Sequence, residues 1–216
     1  MEPPPAAARL DPLPRGAALE AASVEELFEA AGALRRGHFA LKSGRHSDRY
    51  LEKFAVLQYP SLAVEIGRRL AGALIDRKPT LVVGPTTGGA LLALETARQL
   101  EGSLGRTVRG VFAEPMEQGT RALRRGWPVN GADRVVLVDD ILTTGASLAE
   151  TVAAVQAAGA APLAAAVIVD RSTATVEIGC PIAALGRIEI GSWPAEECPA
   201  CARGEPLVKP GSSPAS

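Results

Sequence analysis

The chain has 216 residues, a formal net charge of -1, and 47% hydrophobic but only 4% aromatic residues. That length suits one domain with appendages, the near-neutral charge gives nucleic-acid binding no electrostatic support, and three cysteines do not make a disulfide framework. No stretch reaches the roughly 20 apolar residues of a membrane span, and the N-terminus lacks a basic region followed by an apolar one, so a cytoplasmic protein with an Ala, Val and Leu core is expected.

Residues 1–22 are rich in Pro and Ala and are predicted to form a disordered tail. Ser23 is a helix N-cap, and Glu26 three residues on completes a capping box. Leu27, Phe28, Ala31 and Leu34 give that helix one apolar stripe, which Gly37 ends. Phe39 and Leu41 alternate with smaller or polar neighbours as in a half-buried strand. Ser43-Gly44 marks a turn and Tyr50-Leu51 opens a second strand, which predicts a hairpin outside the βα repeat that follows.

A helix is predicted over 61–76, with Leu62, Ile66, Leu70 and Ala73 on one face and Pro79 beyond its end. Residues 80–83 read as a short strand, Gly84-Pro85-Thr86-Thr87-Gly88-Gly89 as its exit loop, and 90–100 as an apolar helix. The glycines suit a tight βα turn on backbone grounds alone, and a second reading makes the loop an anion site. Residues 108–113 are another strand. The polar stretch from Glu114 to Arg125, interrupted by Pro115 and Gly119, reads as a mobile loop. Its three cations, Arg121, Arg124 and Arg125, belong either to a solvated hairpin or to a lid over an anion.

The stretch from Arg134 to Ser147, RVVLVDDILTTGAS, carries the densest chemistry. Val135, Val136, Leu137 and Val138 read as a buried parallel strand, and Asp139 and Asp140 follow at once. Thr143-Thr144-Gly145-Ala146-Ser147 is small and rich in hydroxyls, and Leu148, Val152 and Val155 then recur at helical spacing, with Gly159 as the stop. Backbone N–H groups at such a helix start favour an anion, Gly145 permits close approach, and Thr143, Thr144 and Ser147 add donors, so the loop reads as a phosphate cradle. It is not a P-loop, since no Gly-x-x-x-x-Gly-Lys occurs. The paired aspartates are suited to accepting hydrogen bonds from sugar hydroxyls or stabilising positive charge, so a sugar phosphate fits both halves.

Residues 162–169 are a further buried strand, ending in Asp170-Arg171. Arg171, at the carboxyl end of that strand, is placed either to grip a carboxylate bidentately or to pair with Asp170 or Asp140. Residues 182–185 and 188–190 are expected as short closing strands. Cys198 and Cys201, in Cys-x-x-Cys spacing, are half of a structural zinc site, which a second copy or Cys180 would complete. The plainer reading, preferred on sequence alone, is an extension with free thiols.

The segment VVLVDDILTTGAS resembles the phosphoribosyl-pyrophosphate signature of type I phosphoribosyltransferases. The Lys-Ser-Gly turn at Lys42 with Tyr50, the Asp170-Arg171 pair, and the tail with Cys-Pro-x-Cys followed by Gly-x-Pro-Leu-Val-Lys-Pro-Gly-Ser are similar to orotate phosphoribosyltransferases. Together the resemblance covers Ser23 to Ser212. It implies an α/β fold with a central, mainly parallel sheet flanked by helices and a small hood from the N-terminal segment. It divides the chain into a transferase domain over 23–192 and a Cys-x-x-Cys extension over 193–216.

The activity implied is transfer of the phosphoribosyl group from 5-phosphoribosyl 1-pyrophosphate to orotate, giving orotidine 5′-monophosphate and pyrophosphate in pyrimidine biosynthesis. By the same resemblance Asp139 and Asp140 are catalytic. The donor is held by Asp139, Asp140, Ile141, Leu142, Thr143, Thr144, Gly145, Ala146 and Ser147, by Thr87, Gly88 and Gly89, and by Arg121, Arg124 and Arg125. Orotate is held by Thr143, Arg171, Lys42 and Tyr50. Mg²⁺ is implied on pyrophosphate and sugar oxygens with no direct protein ligand, together with a homodimer that shares its active sites and with neither nucleic acid nor membrane as a partner. The chain departs from the family pattern twice. Thr87-Gly88 stands where many members carry a lysine, and residues 113–119 lack the lysine and histidine of the usual Arg-Lys-x-x-Lys-x-His lid. These departures keep two rivals in play: a transferase for another base such as a purine, and a non-catalytic regulator that binds phosphoribosyl pyrophosphate.

Overall fold

Residues 13–41 and 43–209 are described in the computed structural model of the chain. They fall into two compact units, one containing residues up to Val56 together with those from Ile190, the other running from Leu57 to Glu189.

The first unit opens with a short helix, α1 (Ala17–Ala21), inside the stretch whose composition predicted a disordered tail; the rest of that prediction, residues 1–12, lies outside the described residues. α2 (Val24–Ala30) starts at the expected capping box, with the Glu26 amide donating to Ser23 Oγ at 3.2 Å and the Ser23 amide donating to Glu26 Oε2 at 2.6 Å. The helix is shorter than its apolar stripe suggested. Gly32, at φ 64, turns the chain after Ala31, and Leu34 becomes the first residue of β1 (Leu34–Ala40). β1 pairs antiparallel with β2 (His46–Leu51), with a shift of register between Arg36 and Phe39. The tail from Ile190 does not stand apart as an extension. Trp193 exchanges backbone bonds with His46, and Val208 is bonded to the backbones of His38 and Ala40, so the tail lines both edges of the hairpin.

The chain leaves this unit through a short helix, α3 (Lys53–Leu57), and α4 (Pro60–Leu74) follows, opening on a proline at its first turn. The second unit is a six-stranded sheet built from β3 (Leu81–Pro85), β4 (Arg109–Pro115), β5 (Arg121–Ala122), β6 (Val135–Leu142), β7 (Pro162–Asp170) and β8 (Ile182–Arg187). Its order is β5-β4-β3-β6-β7-β8, parallel throughout except for β5. Residues 114–122, read from sequence as an irregular loop, instead form a tight hairpin between β4 and β5 around a turn at Glu117–Gly119. The two closing strands expected over 182–190 are one strand, β8.

Three helices cover the sheet: α4, α5 (Gly88–Leu104) and α6 (Ala146–Ala157). The near-continuous apolar strands VVLV and AAAVIV are what a parallel sheet covered on both faces requires. On one face, Leu148, Val152 and Val155 of α6 pack on Leu81, Val83, Leu137, Ala165 and Val167, all buried. Val82, Val136 and Val138 alternate to the opposite face, where α4 and α5 pack together. Among the described residues no helix is long and apolar enough to cross a membrane.

Candidate active site

β3 leads through α5 to β4 on one side, and β6 leads through α6 to β7 on the other, so the direction of winding reverses between the adjacent strands β3 and β6. Loops leaving the carboxyl ends of two such strands part to opposite faces and leave a crevice between them, the usual ligand position in open α/β sheets. The loop after β3 is Thr86 to Gly89 and the loop after β6 is Thr143 to Ser147, the two stretches that the sequence marked as anion loops.

Strand alternation separates the two aspartates. Asp139 follows the side of Leu137, toward α6, and Asp140 the side of Val138, toward α5. Ser147 Oγ donates to Asp139 Oδ2 at 2.6 Å, and the Asp140 amide donates to Asp139 Oδ1 at 2.8 Å. Asp139 thereby pins the first turn of α6. Asp140 receives the Ile141 amide on Oδ1 at 2.8 Å, and its Oδ2 lies against Gly88, where a Cβ would stand 2.2 Å away. Both carboxylates are at least 95% buried. Each acid therefore faces the start of a different helix across one crevice, a division that spacing along the sequence did not show.

The glycines are required by close approach. Gly145 caps α6 at φ 79, and a Cβ on it would meet Val176 Cγ1 at 2.3 Å. A Cβ on Gly84 would fall 2.0 Å from Gly89 O, and one on Gly89 would fall 2.6 Å from Pro85 Cδ, so the first turn of α5 sits directly on β3. Thr143, Thr144 and Ala146 are exposed at the rim, while Ile141 and Leu142 belong to β6 itself and contribute backbone. Thr87 is exposed immediately before α5.

Arg171 follows the last residue of β7, and its amide donates to Leu142 O at 2.8 Å. The ion pairs considered for it, with Asp170 or Asp140, do not form. Burial opposes ionisation of Asp170, but hydrogen bonds from Ser172 and the charge of Arg187 outweigh it and hold its carboxyl below the ordinary range. Among the described residues the Arg171 side chain has no ion pair; its Nε is buried without an acceptor, and burial pushes its pKa down.

The three arginines of the expected lid are not equivalent. Arg121 is half-buried, with Nε 3.1 Å from Glu150 Oε2 on α6 and Nη1 bonded to Ala113 O. Arg125 pairs with Glu114. Arg124 is exposed and, among the described residues, has no ion pair or side-chain hydrogen bond. Reading the three as one mobile cationic group missed these pairings, because Glu150 lies 29 residues from Arg121 in sequence. Tyr50 lies on β2 in the first unit, its ring 5.7 Å from that of Phe39 and its phenol pKa pushed up by burial and by Glu52; Lys42 lies outside the described residues. A cavity of about 500 Å³ opens between residues 172–176 and β8; Asp170 lines it, but Asp139, Asp140 and Arg171 do not, so it lies beside the proposed chemistry rather than over it.

Comparison with known proteins agrees with this arrangement. The family model for the phosphoribosyl transferase domain matches residues 56–182, the whole of the sheet as far as β8. Orotate phosphoribosyltransferase of Caldanaerobacter subterraneus is 39% identical over 194 residues, covering 90% of this chain and 98% of that protein. The enzyme of that name from Heliobacterium modesticaldum is 42% identical over 193 residues, covering 88% and 96%. The chain belongs to the orotate phosphoribosyltransferase family. Among solved structures, orotate phosphoribosyltransferase from Aeropyrum pernix has a TM-score of 0.58 at 24% identity, covering 76% of this chain and 93% of that one, which bears on the fold alone. The type I fold expected from the signature is thus present, a mainly parallel sheet between helices.

Proposed function

We propose that the chain transfers the phosphoribosyl group of 5-phosphoribosyl 1-pyrophosphate to orotate, forming orotidine 5′-monophosphate and pyrophosphate. The observation that carries this reading is the pair of glycine-tight helix starts flanking Asp139 and Asp140 at one reversal of the sheet. The loop Thr143 to Ser147 binds the 5′-phosphate through backbone amides at the start of α6 and the threonine hydroxyls. Thr87, Gly88 and Gly89 bind the pyrophosphate at the start of α5. Between them Asp140 accepts from the ribose hydroxyls and offsets the positive charge that grows on the sugar as its bond to pyrophosphate breaks. Asp139 orients the phosphate loop through Ser147. Arg171, a half-buried cation whose Nε has no protein acceptor, takes the orotate carboxylate. Arg124 is the cation assigned to the leaving pyrophosphate, a reading supported by the pairing of Arg121 and Arg125 with glutamates.

The chain supplies no covalent nucleophile in this scheme; it contributes positioning and preorganised charge. Mg²⁺ fits the site, because the buried carboxylate Asp140, on the α5 side of β6, is the hard oxygen group that would meet an ion carried on the sugar and pyrophosphate oxygens. Asp140 would hold it through the sugar hydroxyls, and the ion would neutralise charge on the pyrophosphate. A cytoplasmic homodimer with shared sites and small-molecule substrates completes the proposal.

Incubation with Mg²⁺, phosphoribosyl pyrophosphate and separate bases tests it. Orotidine 5′-monophosphate from orotate alone is expected, with turnover falling at least 100-fold in Asp140→Asn while the circular dichroism and melting profile are kept. Product from a purine alone, or unchanged turnover in the variant, refutes it.

A further inference from the structure

In the first unit, four side chains that play no part in the transfer converge: His38 on β1, His46 on β2, and Cys198 and Cys201 around the short helix α7 (Pro199–Ala202). One ligand atom from each lies within 4.8 Å of all the others. His38 Nε2 is 3.0 Å from His46 Nδ1, 3.5 Å from Cys198 Sγ and 3.6 Å from Cys201 Sγ, and His46 Nδ1 is 3.2 Å from Cys201 Sγ. A tetrahedral zinc with ordinary bond lengths would separate its ligands by about 3.3 Å for two nitrogens and about 3.6 Å for nitrogen and sulfur. The observed spacings equal those values or fall short of them by up to about 0.4 Å. Cysteines in Cys-x-x-Cys spacing are half of such a site by sequence, and the hairpin provides the other half, 160 residues away.

Hydrogen bonding alone leaves this cluster poorly satisfied. His38 Nδ1 donates to Glu205 O at 2.9 Å, which fixes the tautomer and turns a bare lone pair on Nε2 toward the other three groups. Three potential donors then point at one acceptor. A divalent cation at the centre would be ligated by both imidazole nitrogens and both sulfurs at once. Two thiolates make the loaded site electrically neutral, as suits a cluster in which His38, His46 and Cys198 are all more than 90% buried. The thiol protons pass to solvent on binding, and no bond is oxidised or reduced.

We infer that His38, His46, Cys198 and Cys201 form a closed, structural zinc site that fastens the C-terminal tail to the β1–β2 hairpin. Two soft sulfurs and two imidazoles in a tetrahedron select zinc over hard cations, and four protein ligands leave no position open for substrate. The preference for free thiols on sequence alone is thereby replaced. Cys180, in the other unit, is not a member.

Full-length protein purified under reducing conditions tests the inference. About one zinc per chain is expected by elemental analysis. Replacement of that zinc by Co²⁺ should give tetrahedral ligand-field bands together with thiolate-to-cobalt charge transfer. Cys201→Ser, at an exposed position, should weaken Co²⁺ binding at least tenfold and lose roughly half of the charge-transfer intensity, whereas Cys180→Ser should change neither. Wild-type protein that holds no zinc and gives no cobalt spectrum overturns the inference. So does a Cys198–Cys201 disulfide in freshly isolated chain, or loss of metal in Cys180→Ser. Since the wild-type spectrum is read without any variant, misfolding of a mutant does not blunt the test, and the result is independent of which base the enzyme accepts.

Discussion

Two glycines with nearly the same backbone make a matched experiment on the phosphate loop. Gly145 sits at φ 79 before α6 and Gly159 at φ 84 after it. A Cβ on Gly159 would meet nothing within 4 Å, whereas one on Gly145 would meet Val176 Cγ1 at 2.3 Å. Gly159→Ala therefore tests the left-handed conformation alone and should cost about 1–2 kcal/mol. Gly145→Ala adds an overlap that forces either Val176 or the loop to move, at a further cost of about 1–3 kcal/mol. Val176 packs against the core beneath α6, so the loop is the softer of the two. Urea denaturation should place Gly145→Ala about 2–5 kcal/mol below wild type and clearly below Gly159→Ala. The KM for phosphoribosyl pyrophosphate should rise at least tenfold in Gly145→Ala and stay within twofold in Gly159→Ala. Equal destabilisation by the two substitutions, or an unchanged donor KM in Gly145→Ala, would show that the loop does not depend on this close approach.

Two further outcomes follow from the charges. Arg171→Met should raise the KM for orotate by about 10- to 100-fold, the range of a lost charge-assisted pair, with melting temperature unchanged or slightly higher because no protein partner is abandoned; a fall in stability without a change in orotate KM would assign Arg171 a structural role. Burial raises the pKa of Glu65 on α4, but its bonds from Arg68 and Arg69, at 2.7 and 2.6 Å, outweigh that and leave it below the ordinary 4.5. Its contribution is complete above pH 4.5 and is lost as pH falls through the lower folded value. Glu65→Gln should lose about 2–3 kcal/mol at pH 7, discounted from the full value of a buried pair because Arg68 is half exposed. The gap from wild type should narrow below pH 4, as pH-dependent denaturation would reveal; a gap independent of pH would contradict the pairing.

Much of this protein was legible in order along the chain, because each feature is local. Apolar runs such as VVLV and AAAVIV, the Ser23–Glu26 capping box, and glycines between strand and helix depend on residues within one turn or one loop of each other. Chain order alone, with right-handed crossovers, does not say which strands are neighbours. Placing β3 beside β6 is what brings Gly88 against Asp140 and makes two separate turns into one crevice. The same limit applies to Arg121, whose partner Glu150 is on another element, and to Arg171, whose lack of a partner is visible only once Asp170 is seen with Ser172 and Arg187. His38 and His46 gave no sequence signal as ligands, since the register shift in their hairpin decides where they point, and their cysteine partners come from the far end of the chain. Sequence by itself determined which segments form strands and which form the glycine-rich turns between strand and helix, because backbone geometry and hydrophobic period are set by near neighbours. Tertiary structure decided which charges remain available and which side chains meet, because those depend on contacts between residues that the chain keeps far apart.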